Sequence, residues 1–320
     1  MKATSWLVLV SLVFIGTASL VKAQSPEVTH NTWTSGAPLP TPTAFATSAV
    51  LENEIYVVGG NDGAENFADV QIYNPVANTW STGVSYPTGI ASASSAVVKN
   101  VLYVFGGTSD GMTPSNAVWA YNPKTRTWIA KAAMPTARWG PAVVVEENII
   151  YVSGGQTSPT GKGPISNVES YNPATNTWTE KAPLLVAKAQ GAAGLLGSLK
   201  TGYTIVFADG SNSSGGTTGD NEGYDATTNT WTTLTSDPSP RYASCFGSIG
   251  AKLYVVAGSG GPSTLTESFQ LTKNKWATLA AVPQSTQFPA SAVYKGRLYC
   301  IGGWASNGGP VITNVQIYQP

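Results

Sequence analysis

Six tryptophans, Trp33, Trp80, Trp128, Trp178, Trp231 and Trp276, follow one another at spacings of 47, 48, 50, 53 and 45 residues. An aromatic residue stands seven positions before each of the last five: Tyr73, Tyr121, Tyr171, Tyr224 and Phe269. Glycine pairs recur at Gly59-Gly60, Gly106-Gly107, Gly154-Gly155 and Gly302-Gly303, with weakened copies at Asp209-Gly210 and Ala257-Gly258. From each Trp to the first member of the next pair is 26 residues in five copies and 31 in the fourth. Self-similarity at such a period marks one supersecondary unit repeated around a closed or stacked architecture. A length of 320 residues, which alone would suggest two domains, then reads as one domain over 24–320.

Each unit reads as four short strands. Residues 96–106 give two β-branched and aromatic runs joined at Lys99-Asn100, and residues 118–128 give two more joined by an Asn-Pro turn. No stretch after the N-terminal segment holds a helical apolar period over ten residues, so the fold is expected to be all-β, each unit a four-stranded antiparallel meander. The five extra residues of the fourth unit fall around Gly197 to Gly202, in its first hairpin. The last unit stops at Tyr318-Gln319-Pro320, where the others continue to their Trp, while His30-Asn31-Thr32-Trp33 forms an orphan fourth strand near the beginning. Joining the two completes the sixth unit and removes an open sheet edge.

Residues 1–23 read as a secretory signal: Lys2 is the positive start, residues 6–20 are largely apolar, and Val21 and Ala23 are the small residues a signal peptidase accepts. Cleavage after Ala23 would leave a secreted or periplasmic chain. The 15-residue run is shorter than the roughly 20 residues a spanning helix needs, so no membrane association is expected after its removal.

The Gly pair, the Tyr and the Trp seven later, with YNP-x-(T/A)-x-TW between them, resemble the kelch repeat over residues 30–320. The resemblance implies a six-bladed β-propeller with the Trp on the fourth strand of each blade, strands being lettered a to d in chain order. It also implies a ligand face built from the loops after strand b and the loops joining strand d to the next strand a. Blade interiors are filled by repeat residues, so positions free to differ between copies can carry function. Aligned on the Gly pairs, these positions supply the candidates Phe45, Asn61, Asp62, Asp110, Arg138, Trp139, Gln156, Lys188, Gln190, Asn212, Arg241, Tyr242, Gln287, Phe288 and Trp304. Aromatic plates beside amides and cations could stack sugar rings and bond their hydroxyls, or seat an acidic peptide side chain on arginine. Against this, an arginine at this loop position could simply brace the loop.

Several chemistries are excluded or made improbable by what the chain lacks. Seventeen Lys/Arg balance seventeen Asp/Glu without a run of either sign, so nothing attracts nucleic acid. The lone histidine, His30, lies at the closure seam; a galactose-oxidase-like copper site needs two imidazoles. Kelch sialate mutarotases carry a Glu after the fourth Gly pair and an Arg six residues on, where this chain has Ser211 and Thr217. Glu65, Asp69 and Tyr73 match the spacing of the iron triad of kelch specifier proteins but lack its histidine. Asp62 and Asp110 are the mouth acids that could form a hydrolytic carboxylate pair, yet Asp after a Gly pair is ordinary turn chemistry. The expectation is a monomeric, non-catalytic binding or interaction module without cofactor or metal, its ligand an extracellular glycan or protein. The alternative is a metal-free carbohydrate-active enzyme, mutarotase- or lyase-like. Cys245 and Cys300 fall inside strands of different blades and are expected to be buried free thiols. Asn212-Ser213-Ser214 is a glycosylation sequon in a eukaryotic secretory pathway.

Overall fold

The structure, a computed structural model, describes residues 30–158, 163–198, 202–306 and 308–320. The proposed leader, residues 1–23, lies outside the described residues. Twenty-four strands form six separate four-stranded antiparallel sheets, each running a to d from the inside of a ring to its rim. The first blade contains Thr47–Leu51, Glu54–Val58, Val70–Asn74 and Thr79–Thr82. Among the described residues the only helical turn is the 3-10 segment Leu271–Lys273, and no helix is long and apolar enough to cross a membrane. The fourth blade takes up its insertion by lengthening both strands of its first hairpin to seven residues, Ala192–Ser198 and Gly202–Ala208.

The repeat residues fasten blade to blade. In every blade the c-strand aromatic and the d-strand Trp are cross-strand neighbours, with ring centroids 4.9 Å apart for Tyr73 and Trp80 and 5.3 Å for Phe269 and Trp276. Each Trp indole then reaches out of its own blade: Trp80 Nε1 donates to the Ala37 carbonyl (2.9 Å) and Trp178 Nε1 to that of Ala132 (2.9 Å). The Asn two residues before the Trp takes a left-handed turn, as Asn78 does at φ 55°. Asn78 Oδ1 accepts from the Tyr73 hydroxyl and from the Ala37 N–H. One motif thus satisfies buried polar atoms and ties two blades together. The apolar core accordingly divides into six clusters, each straddling one blade junction.

Ring closure follows the expected route. Thr32–Ser35 pairs with Val315–Gln319 in the register Trp33 to Tyr318, so the sixth blade has the same aromatic pair as the others, drawn from opposite ends of the chain. His30 is exposed at this seam and donates through Nδ1 to Pro320 O. The two cysteines depart from expectation. Cys245 and Cys300 are joined as a disulfide, with Cα atoms 5.6 Å apart, linking strand a of the fifth blade to strand b of the sixth. Strands of neighbouring blades face each other closely enough for the bridge, a proximity that linear separation conceals.

Candidate functional site

Six loop residues at equivalent places, Phe45, Ser92, Gly140, Gln190, Ala243 and Phe288, all adopt left-handed backbone conformations, with φ between 55° and 58°. Each N–H donates to the carbonyl of its counterpart in the preceding blade, from Ser92 to Phe45 (2.9 Å) round to Phe45 to Phe288 (2.8 Å). The result is a closed ring of six backbone hydrogen bonds about the propeller axis. Left-handed conformation costs a non-glycine residue about 1–2 kcal/mol; satisfying two backbone groups per residue offsets it. At Gly140 a Cβ would stand 2.7 Å from Gln190 Cγ, so a larger residue there would displace the Gln190 side chain.

Above this neck lies the mouth, a cavity of about 390 Å³. Six antiparallel bridges build its walls by pairing each d–a loop with the residue after a Gly pair: Ala44 with Asn61, Ala91 with Thr108, Trp139 with Gln156, Ala189 with Ser211, Tyr242 with Ser259, and Gln287 with Trp304. Close approach of these two segments explains the Gly pair. A Cβ on Gly60 would fall 2.0 Å from Thr43 Oγ1 and 2.6 Å from the Ala44 carbonyl. Phe45, Tyr242, Phe288 and Trp304 form an aromatic arc on one side, Phe45 and Phe288 having ring centroids 3.9 Å apart and Trp304 standing edge-on to Phe45 at 5.0 Å. Across from them stand Gln156, Gln190 and Ser211, with Gln156 Nε2 donating to Ser211 Oγ (3.1 Å). Trp139 Nε1 is buried in the mouth wall without a protein acceptor. Among the described residues lining the mouth there is no Asp, Glu, Lys, Arg, His or Cys.

Eight of the fifteen residues proposed from sequence line this cavity: Phe45, Asn61, Trp139, Gln156, Gln190, Tyr242, Phe288 and Trp304. The three cations do not. Arg138, Lys188 and Arg241 are fully buried and pair inside their own blades with Glu169 (2.9 Å), Glu222 (3.1 Å) and Glu267 (2.7 Å). They also cap strand ends, as Arg138 Nη1 does on the Gly154 and Asn167 carbonyls. Bracing is therefore their role, and an anionic ligand has no arginine to meet at the mouth. Asp62 and Asp110 staple their own loops instead of facing the cavity. Asp62 Oδ1 accepts from the Ala64 and Glu65 N–H groups, and Asp110 accepts from Met112 and Thr113 N–H and from the Thr108 and Thr113 hydroxyls. These donors hold both carboxyls below the usual carboxylate range, which unsuits them to donate a proton near neutrality. Asn212 spends its amide within its own turn, on Ser214, Gly216 and Thr217. Gln287 is bridged to Trp304 through its backbone and lies outside the lining.

Sequence reasoning missed a second compartment. Below the neck a channel of about 190 Å³ meets the mouth at Phe45, Ser92, Gln190 and Phe288. Thr47, Ser48, Ser94, Ser95, Ser244 and Ser291 contribute hydroxyls to its wall, and Val143 and Phe246 an apolar side. A signal existed: three residues after each neck position stands Ser48, Ser95, Val143, Ala193, Phe246 or Ser291, polar in three adjacent blades and apolar in the other three.

Comparison with known proteins agrees with this geometry. The family model described as the KLHDC2/KLHL20/DRC7 Kelch-repeats domain matches residues 17–130 and 84–258, well over half of the chain. The solved structure titled "Structure of YjhT" superposes with a TM-score of 0.73 at 21% identity, covering 87% of this chain and 95% of that one, a likeness of fold. With 751 solved chains matching, fold alone selects no single activity. No curated protein sequence matches the chain.

Proposed function

The chain belongs to the kelch-repeat family, and from that premise we propose that it is an exported, non-catalytic binding module whose mouth takes an uncharged ligand, a neutral glycan before a protein segment. One observation carries this reading: the mouth combines an aromatic arc and neutral amides, with no charged side chain among the described residues that line it. Aromatic faces bind the apolar faces of sugar rings, while Gln156, Gln190 and Asn61 offer hydrogen bonds to hydroxyls. An unpaired carboxylate would be desolvated there without compensation. Absence of an ionisable pair in the lining also favours binding over acid–base catalysis. Export is supported by the character of residues 1–23 and by the Cys245–Cys300 disulfide, since such bonds persist in oxidising compartments.

A screen of immobilised neutral and acidic glycans, with protein pull-down in parallel, tests the proposal. Wild type is expected to retain neutral glycans, and Trp304→Ala to lose at least about tenfold in affinity, the value of a well-packed aromatic contact. Binding unaffected by Trp304→Ala, or turnover of a retained sugar, would displace this reading.

A further inference from the structure

The hydroxyls of the channel are not equivalent to free serines. Ser48 Oγ donates to the Ser291 carbonyl (2.8 Å), Ser95 Oγ to that of Ser48 (3.1 Å), Ser94 Oγ to that of Pro141 (2.7 Å) and Ser244 Oγ to that of Ala257 (3.0 Å). A carbonyl oxygen can only accept, so each of these four hydroxyls has its single proton committed to the backbone. Thr47 Oγ1 commits its own to Ser95 Oγ (2.7 Å). What these five hydroxyls leave for an occupant of the channel is lone pairs; of the wall's other polar groups, Ser291 Oγ accepts from the Phe246 N–H (3.2 Å) and keeps its proton, and Gln190 carries an amide NH2, so the arc accepts more hydrogen bonds than it donates. Opposite that arc stand Val143 and Phe246, and the residues lining the channel include no charged side chain.

A ligand group complementary to this wall carries many donors, has no net charge and shows an apolar flank. The hydroxyl-bearing end of a saccharide or polyol meets all three conditions. Peptide N–H groups are spaced a residue apart and come with carbonyls that this wall has few protons to satisfy. Channel and mouth adjoin at the neck, sharing Phe45, Ser92, Gln190 and Phe288 in their linings. We propose that the channel is a second subsite, receiving through the neck the donor-rich terminal hydroxyls of the neutral saccharide seated in the mouth. The inference rests on the mouth being the binding site and adds that the ligand reads its chain end in the channel.

Isothermal titration with cellotriose, maltotriose and mannotriose, each also prepared with its non-reducing or its reducing terminal unit O-methylated, tests this. Methylation keeps the acceptor oxygens and removes the donor protons. At least one unmodified trisaccharide is expected to bind, and blocking one of its two ends to cost about tenfold or more while blocking the other does not. Val143→Phe, which fills the channel below the neck, is expected to weaken that sugar by about tenfold or more, with an unchanged thermal transition as the check on folding. Ser95→Val provides a smaller change that removes an acceptor. Equal tolerance of methylation at both ends, or wild-type affinity in folded Val143→Phe, would overturn the channel subsite while leaving the mouth reading intact. Failure of all three sugars to bind wild type would overturn the channel proposal as well as the neutral-sugar reading on which it rests.

Discussion

At Asp209 the fourth blade puts a carboxylate where the first three and the sixth have glycine, keeping the glycine-like φ of 60°. The side chain is 1% exposed, neither oxygen has a hydrogen-bond donor, and the neighbouring carboxylate is that of Asp237, itself buried. Burial first, and then the charge of Asp237, push the Asp209 carboxyl well above the ordinary range, against the weaker pull of Arg241 and Lys188. Glu267, which pairs with Arg241, is raised in the same direction by burial and Asp237. A carboxyl buried beside another carboxylate is most stable when it keeps its proton. The sign of the linkage follows. Above the usual Asp value of 3.8 the unfolded chain has released the Asp209 proton while the folded chain retains it, so stability falls as pH rises until the folded group also ionises. Asp209→Asn should therefore raise the melting temperature at pH 7 and reduce the loss of stability between about pH 4 and 7; parallel wild-type and variant melting curves across that range would refute the retained Asp209 proton. None of this was legible in the sequence, where Asp209-Gly210 reads as a weakened Gly pair. By contrast, the Trp and Tyr positions were legible because their spacing is imposed by one contact repeated in every blade.

In three blades, the loop residue two before the neck position and the c-strand residue two before the repeat aromatic form a buried couple. It is ionic in each: Arg138 with Glu169, Lys188 with Glu222, Arg241 with Glu267. The corresponding positions hold Thr43 and Gln71 in the first blade, Thr286 and Gln316 in the sixth, and Ile90 and Trp119 in the second. Acid and cation thus appear together or not at all, a pattern present in the sequence that would have reassigned the three cations from the mouth to the blade interior. Burial explains the constraint, because a charge left alone in the core is costly whereas a neutral pair of similar shape is tolerated. Arg138→Ala should destabilise the fold by about 3–5 kcal/mol. Arg138→Thr combined with Glu169→Gln, the residue types that stand at these positions in the first and sixth blades, should recover most of that loss in chemical denaturation. A double variant no better than the single one would contradict the couple. The loops that carry the mouth were legible for a different reason: aligning copies exposes the positions that do not repeat, and the bridges pair those positions directly. The serine arc escaped notice because it lies within strands, where a small polar residue looks like a tolerated substitution until its partner in the adjoining blade is seen.

At the scale of the ring, three devices prevent opening: the strand Thr32–Ser35 completing the sixth blade, the hydrogen-bond circle at the neck, and the disulfide between the fifth and sixth blades. The bridge closes a 55-residue separation, for which chain entropy gives about 4 kcal/mol. Cys245→Ala with Cys300→Ala should lower stability by an amount of that order, and thiol titration of the denatured, unreduced wild type should find no free sulfhydryl. Detection of two free thiols would remove the bridge from the account. The same closed ring holds the mouth rigid, so binding should need little reordering and should depend on complementarity of charge and shape. The most direct test is a paired titration of one neutral oligosaccharide and its uronate counterpart, at low and high salt. A mouth with no charged side chain among its described lining residues predicts that the neutral sugar binds at least about tenfold more tightly, with an affinity that salt does not change. Tighter binding of the uronate, weakening as salt is added, would contradict it.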